Sequence, residues 1–363
     1  MSGSMEAAAN EAQLLPTADR RLPTDPTTAL LVGCGGISRA WLRALPEVPD
    51  LKIIGLVDLY EATARERAAE FGLTDVPIGT DVVAAIEALR PDVVFDCTIP
   101  AAHPVVTLAV LERGCHVLGE KPIAPSLAEA RRMVAAAEAS GRTYAVIQNR
   151  RYDPNIHRLR AFLRSGAIGR ITTVTSDFFL AAHFGGFREQ MAHVLLLDMA
   201  IHTLDAARFI TGADPQAVYC REWNPEGSWY DRDASAVALF ELSDGIAYTY
   251  QGSWVAEGAN TTWEASWRIV GTRGSVTWDG ATGFVAQVAE GRDGIRSTYR
   301  DLELPPAAYD LPTGHVGLIK DFVRCIRAGE TPQTICTDNI QSLAMVFGAI
   351  ESAERGERVA IAL

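Results

Sequence analysis

The sequence predicts a doubly wound α/β domain with a parallel sheet, followed by an α+β domain built on a large, mostly antiparallel open sheet. Three observations lead there. Short apolar runs alternate with stretches of helical spacing from Ala29 to Gln148, the first run ends in a glycine-rich turn, and the strand-like runs beyond Phe162 follow one another without helices between them.

In chain order, residues 1–27 are rich in Ala, Pro and Thr and lack both a sustained apolar period and the hydrophobic stretch of a secretory signal. They are expected to form a flexible arm outside the fold. "ALLVG" then reads as a strand and "SRAWLRAL" as a helix, "KIIGLVD" as a strand and "ATARERAAEFG" as a helix stopped by Gly72. "DVVAAIEALR" leads to "DVVFDC", "PVVTLAVLERG" to "HVLGE", and "SLAEARRMVAAAEASG" to "TYAVIQ". The last of these helices carries a capping box, Ser126 with Glu129, and a terminating Gly141. Strands this apolar need cover on both faces, which places the first domain at residues 28–148 and the second at 149–363. In the second, Asp153 caps and Pro154 opens the helix "NIHRLRAFLRSG". The strands "RITTVTSDFF", "QAVYCREW", "SAVALFEL", "IAYTYQGSWV", "WEASWRIVG" and "GSVTWDG" follow, and the helices "GLIKDFVRCIRAG" and "NIQSLAMVFGAIESAERG" close the chain.

At 363 residues, 48% hydrophobic and 21% charged, the chain can bury two cores. Its net charge of −12 opposes binding to nucleic acid or anionic lipid, and no apolar run approaches the ~18 residues of a membrane span. Six scattered cysteines without a CxxC pair argue for reduced thiols in a cytoplasm, and against a disulfide framework or a metal site.

The first turn, "GCGGIS", runs from Gly33 to Ser38 between a strand and a helix, the arrangement that lets a backbone approach a pyrophosphate at a helix N-terminus. Gly33, Gly35, Gly36 and Ile37 are its candidate cofactor contacts. Asp58 ends the next strand, 25 residues beyond Gly33, where an acid meets the ribose hydroxyls of a dinucleotide. A 2′-phosphate would face that carboxylate; Leu59 and Tyr60 offer it no cation, and Arg65 and Arg67 come later in the helix. NAD is therefore expected over NADP. Further on, "LLLDMAIHTLDAARFITG" interrupts an apolar helix with Asp198, His202 and Asp205, at spacings that put all three on one face. Unpaired buried carboxylates are costly, so this stripe is expected to face a ligand or a polar partner.

"GCGGIS" with Asp58, "CTIPAAH" from Cys97 to His103, "GEKP" from Gly119 to Pro122, "QNRRYDP", "LDMAIHTLD", "GTRGSV" and "HVGLIKDF" together make the chain resemble the glucose–fructose oxidoreductase/inositol dehydrogenase (Gfo/Idh/MocA) family, from Leu30 to the C-terminus. The resemblance implies hydride transfer between a secondary alcohol of a sugar, cyclitol or sugar derivative and nicotinamide. It places Thr98, Ile99, Pro100, His103, Glu120, Lys121 and Gln148 beside the cofactor, and implies a Lys121–Pro122 bond that is often cis. Lys121 would stabilise charge on the reacting oxygen, His202 would be the acid/base, and Asp198 would bind a substrate hydroxyl or orient the imidazole. Arg150 and Tyr152 would join these three around the substrate, Asp205 would be structural, and the open sheet would pair into a homodimer or homotetramer. One departure is "MAHVLLLD", where the family's glycine-rich lead-in is missing and a usual Gly is Ala200. Asn149, His183, Arg188, His193, Trp254 and His315 are further pocket candidates. Phe184, Phe187, Trp263, Trp267 and Trp278 read as sheet packing or interface, and His116 and His157 as structural. Two other functions fit the same motifs: an NAD-dependent glycoside hydrolase of this fold, and a non-catalytic dinucleotide sensor.

Overall fold

The computed structural model describes residues 25–291, 294–306 and 312–363. Residues 1–24 of the expected arm lie outside the described residues, and the first strand already begins at Thr27. The first sheet comprises β1 (Thr27–Val32), β2 (Leu51–Val57), β3 (Ile78–Gly79), β4 (Val93–Asp96), β5 (His116–Gly119) and β6 (Tyr144–Val146). Between them run α1 (Ser38–Ala44), α2 (Glu61–Glu70), α3 (Val82–Leu89), α4 (His103–Glu112) and α5 (Leu127–Ser140). Every pairing is parallel and the order is β3-β2-β1-β4-β5-β6, so the chain reverses direction between β1 and β4. Ligands of such sheets bind outside the carboxyl ends at that reversal. The local signals work as anticipated: the Ser126 hydroxyl accepts from the Glu129 N–H at 3.2 Å and donates to its carboxylate, and Gly141 ends α5 with φ +63°.

The second half contains α6 (Pro154–Arg164), β7 (Ile171–Phe179), α7 (Phe187–Gln190), a π-helical turn at Leu195–Ala200, α8 (Ile201–Thr211), β8 (Pro215–Trp223), β9 (Ser235–Leu242), β10 (Ile246–Ser253), β11 (Ser266–Gly271), β12 (Gly274–Trp278), β13 (Phe284–Gly291), β14 (Thr298–Leu302), α9 (Gly314–Ala328), α10 (Cys336–Arg355) and β15 (Val359–Ala360). Its nine-stranded sheet has the order β14-β13-β12-β11-β7-β10-β9-β8-β15, antiparallel except for β7 against β10. One face is buried: Tyr248 and Tyr250 are fully covered, with the Tyr248 hydroxyl 2.9 Å from Ser176 Oγ. The other face exposes Ala247 and Gln251. The sheet register carries Tyr219, Leu239, Thr249, Thr175, Arg268, Thr277 and Val285 across that outer face in one row. Strands β13, β14 and β15 extend the sheet beyond the six predicted from the sequence, and α7, the π-helical turn and α8 separate β7 from β8, so the strands do not all follow one another directly.

Two tertiary features fix where the site lies. Helix α9 comes from the far end of the chain, yet its Leu318, Ile319, Phe322 and Val323 share a core with Leu31 and Phe95 of the first sheet and Trp41 of α1. Behind α8, Arg151 makes two 2.7 Å bonds to Asp205, and both side chains are almost completely buried. Asp205 also accepts from Ser342 Oγ at 2.7 Å, tying α8 to α10. The π-helical turn and this ion pair split the predicted stripe: Asp205 faces Arg151 behind the helix, while Asp198 faces the first sheet.

Candidate active site

At the carboxyl end of β1, Gly33 has φ +88°, and a Cβ there would lie 2.6 Å from the Cys97 carbonyl, so no other residue fits. Gly35 and Gly36 differ: a Cβ on either would meet no protein atom within 4 Å. The protein's own packing does not require those glycines, but a phosphate drawing close to the turn would. Underneath, Arg67 reaches from α2 to the Cys34 carbonyl at 3.2 Å and the Ser38 hydroxyl at 3.1 Å, and pairs with Glu70. Arg65 pairs with Glu61. Both arginines are thus engaged elsewhere. Asp58 accepts from the N–H groups of Cys34 at 2.8 Å and Tyr60 at 2.9 Å, which holds its carboxylate beside the turn. Ile37, Ile99 and Pro100 are exposed around the same opening and Thr98 is half-buried. These residues fit a dinucleotide: Gly35 and Gly36 would take the pyrophosphate and Asp58 the adenosine ribose.

Lys121 follows β5, and its bond to Pro122 is cis. Its Nζ donates to the Asp198 carbonyl at 2.8 Å and to Asp198 Oδ1 at 3.1 Å, bringing the two domains together. Asp198 Oδ2 accepts from Arg188 Nε at 2.9 Å. Burial pushes the Asp198 carboxyl up, but Lys121 and Arg188 outweigh it and hold it below its ordinary range, so it is ionised. The Arg188 guanidinium lies over Phe184 and Phe187, 5.1 and 5.0 Å from the ring centres. His202, on the first turn of α8, is partly exposed, and its Nδ1 is buried without a partner among the described residues. Burial first, then repulsion from Lys121, Arg150 and His315, holds its pKa well below the ordinary 6.5. The ring is neutral at pH 7, the state a proton acceptor needs. No hydrogen bond joins Asp198 to His202 among the described residues; its two carboxylate oxygens accept from Lys121 and Arg188.

Arg150 lies 3.3 Å from Glu264 Oε2, with its Nη2 3.5 Å from Met199 Sδ. Burial raises the Glu264 pKa, and Arg150 opposes the rise. Glu264 was not anticipated: it precedes β11 in "TTWEASW", and only the tertiary fold carries it to Arg150.

Several predicted side chains turn to partners within the protein. Tyr152 is completely buried, and its hydroxyl donates to Asp321 at 2.7 Å; it anchors α9 and does not line the pocket. Glu120 is buried under α1, accepting from Trp41 Nε1 at 2.7 Å and from the Lys121 N–H at 3.2 Å. The His103 nitrogens face the carbonyls of Pro122 at 2.9 Å and Thr98 at 3.1 Å, so the ring braces the two turns against each other. Gln148 is 1% exposed and donates to the Ile201 carbonyl at 3.3 Å. His193 pairs with Glu222 at 2.6 Å, and His183 stacks on Trp229 at 3.8 Å. Trp254, Trp267 and Trp278 are buried while Trp263 is half exposed. His116 accepts from the Thr143 N–H, and His157 faces the Arg151 carbonyl. His315 sits near Asn149 and His202, where its ring is held to a pKa of about 4 by burial.

Residues 27–148 match the model of an oxidoreductase family with an NAD-binding Rossmann fold, and residues 156–277 match that of the GFO/IDH/MocA C-terminal domain. An uncharacterized protein of Sinorhizobium fredii is 30% identical over 350 residues, covering 92% of this chain and 95% of its own length. The D-apiose dehydrogenase of Paraburkholderia graminis is 27% identical over 347 residues, covering 91% of this chain and 88% of its own. An oxidoreductase from Agrobacterium radiobacter, solved in complex with NAD+, L-tartaric acid and magnesium, has a TM-score of 0.79 at 23% identity, covering 92% of this chain and 98% of that one.

Proposed function

The chain belongs to the GFO/IDH/MocA family of NAD-binding oxidoreductases, and on that premise we propose that it moves a hydride between a secondary alcohol of a sugar, cyclitol or sugar derivative and NAD. The observation that carries this reading is the meeting of Lys121 with Asp198, one helical turn from a neutral His202, at the carboxyl end of the first sheet. Bound NAD supplies the hydride acceptor. Lys121, a partly buried cation fixed at two points, stabilises negative charge on the reacting oxygen. His202 removes the hydroxyl proton in oxidation and returns it in reduction. Asp198, ionised, accepts a hydrogen bond from a substrate hydroxyl while Arg188 holds it in place, and Arg150 with Glu264 borders the same space. A panel of sugars and inositols, assayed for production of reduced nicotinamide, tests the reading and names the substrate.

Asp58 should make NAD bind more tightly than NADP, since its carboxylate accepts from the ribose hydroxyls and repels a 2′-phosphate, with Arg65 and Arg67 both committed to other partners. Fluorescence titration of both cofactors checks this; Asp58→Ser should narrow the gap, and equal or tighter NADP binding in the unaltered protein would sink the assignment.

The outer row of the nine-stranded sheet, with Tyr219 50%, Leu239 49% and Val285 61% exposed, supports pairing of two such faces into a homodimer or homotetramer. Sedimentation at micromolar concentration should show an oligomer, and a monomer alone would rule this out. All six cysteines are free and buried, which supports a reducing cytoplasm as the location. No described helix is long and apolar enough to cross a membrane.

A further inference from the structure

A histidine that moves protons is normally held in one tautomer by a bond to its other ring nitrogen. His202 Nδ1 has no such bond among the described residues, and the Asp198 carboxylate, which accepts from Lys121 and Arg188, makes none to the ring. Two neighbours carry a spare atom of their own. Gln148 donates its Nε2 to the carbonyl of Ile201, the residue before His202, and its buried Oε1 has no partner among the described residues. His315 lies with Nδ1 3.5 Å from Asn149 Nδ2, and its buried Nε2 has no partner among the described residues. The consecutive residues Gln148 and Asn149 thus reach the backbone just before His202 and the ring of His315. As partners of His202 Nδ1 the two would select opposite tautomers. The Gln148 oxygen can only accept, which requires the His202 proton on Nδ1 and leaves Nε2 free as a base. With the Asn149 amide N–H donating to its Nδ1, His315 would carry its proton on Nε2 and donate, which would move the His202 proton to Nε2.

We propose that Gln148 is the positioning residue of His202, its Oε1 accepting the Nδ1–H bond through a small side-chain rotation or one shared water and presenting Nε2 to the substrate. Its amide is already fixed at the start of α8, and bonds of this kind are often long before substrate arrives and tighten afterwards. A carboxamide orients the ring without adding charge. The charge state of His202 is then left to the groups facing it: Lys121 after β5, Arg150 after β6, His315 from α9, and Asp198 from the π-helical turn, whose charge Lys121 and Arg188 offset. Gln148 thereby acts on the base and not as a cofactor contact. The inference rests on the acid/base reading of His202, but its first test needs no turnover.

Nitrogen-15 spectra of the histidine-labelled protein, with His202 assigned from the His202→Ala variant, report the tautomer directly. Unaltered protein should show the proton on Nδ1, and Gln148→Leu should shift the ring toward a mixture. Gln148→Glu should keep the Nδ1 proton and raise the His202 titration by about one pH unit or more, because a carboxylate stabilises the imidazolium. On an identified substrate, Gln148→Leu should lower kcat about tenfold or more with the Kd for NAD unchanged. A proton on Nε2 in the unaltered protein overturns the proposal in favour of His315. An unchanged tautomer with weakened NAD binding in Gln148→Leu overturns it in favour of a cofactor contact. If Gln148→Leu does not fold, the Gln148→Glu titration decides alone, an unshifted value counting against the proposal. Full turnover by His202→Ala would remove the acid/base role while leaving the tautomer result intact, so the two failures are distinguishable.

Discussion

Replacing His202 with alanine should lower turnover by about 10²–10⁴-fold, the usual contribution of a positioned acid/base, equivalent to about 3–5 kcal/mol of barrier. NAD affinity should barely change, since the imidazole belongs to the second domain and faces the substrate. Lys121→Ala should be comparably damaging, because the same oxygen loses its charge partner. The pH dependence follows from the direction of the His202 shift. A base must be unprotonated to accept, so oxidation rises with pH through its pKa and then levels. Because burial, Lys121, Arg150 and His315 hold that pKa well below 6.5, the rise lies on the acid side and the rate is level by neutrality. The unperturbed value, which is all the sequence supplies, would have put the rise near pH ~6.5. Steady-state kinetics across pH, with cofactor titration of each variant, checks both parts. A folded His202→Ala enzyme with near-normal turnover would make the stripe structural.

The second large effect is on stability. Asp205→Ala leaves the buried Arg151 guanidinium with Asp338, the Gln333 carbonyl and the Phe209 ring as its partners among the described residues, and also strips Ser342 of its acceptor. Removing one member of a buried pair costs about 3–5 kcal/mol, so the urea midpoint should fall by a corresponding amount. The fraction that remains folded should turn over normally, since Asp205 lies behind α8. An unchanged midpoint would show that Asp338 compensates fully for the loss.

What the sequence disclosed and what it hid divide along physical lines. The alternation of apolar runs and helices, the caps at Ser126, Gly141 and Asp153, and the period-two pattern around Tyr248 and Tyr250 are local signals, and each element formed where its signal lay. The glycine turn was legible for the same reason. The fate of individual polar side chains was not. Glu120, His103 and Tyr152 sit in or beside motifs that mark a cofactor or substrate site, yet each turns inward to a partner far along the chain: Trp41, the Thr98 and Pro122 carbonyls, and Asp321. Spacing cannot distinguish a side chain that braces a site from one that faces it. The π-helical turn at Leu195–Ala200 defeated the assumption of regular α spacing on which a single polar stripe depended. Glu264 has no pattern around it, and α9 carries no mark of its place in the core of the first sheet; both depend on tertiary packing alone. Strands β13 and β14 sit at the outer edge of the sheet, where half-exposed residues weaken the apolar alternation.

The central claim, that this chain oxidises a polyol with NAD at the Lys121–His202 site, is tested most directly by one assay: NAD and each member of a sugar and inositol panel, with the absorbance of reduced nicotinamide followed alongside chemical analysis of the sugar. The account predicts that at least one polyol is oxidised with reduced nicotinamide accumulating mole for mole. Sugar consumed with no net accumulation of reduced nicotinamide would contradict it, and would point to the cofactor being oxidised again within each turnover, as in glycoside cleavage.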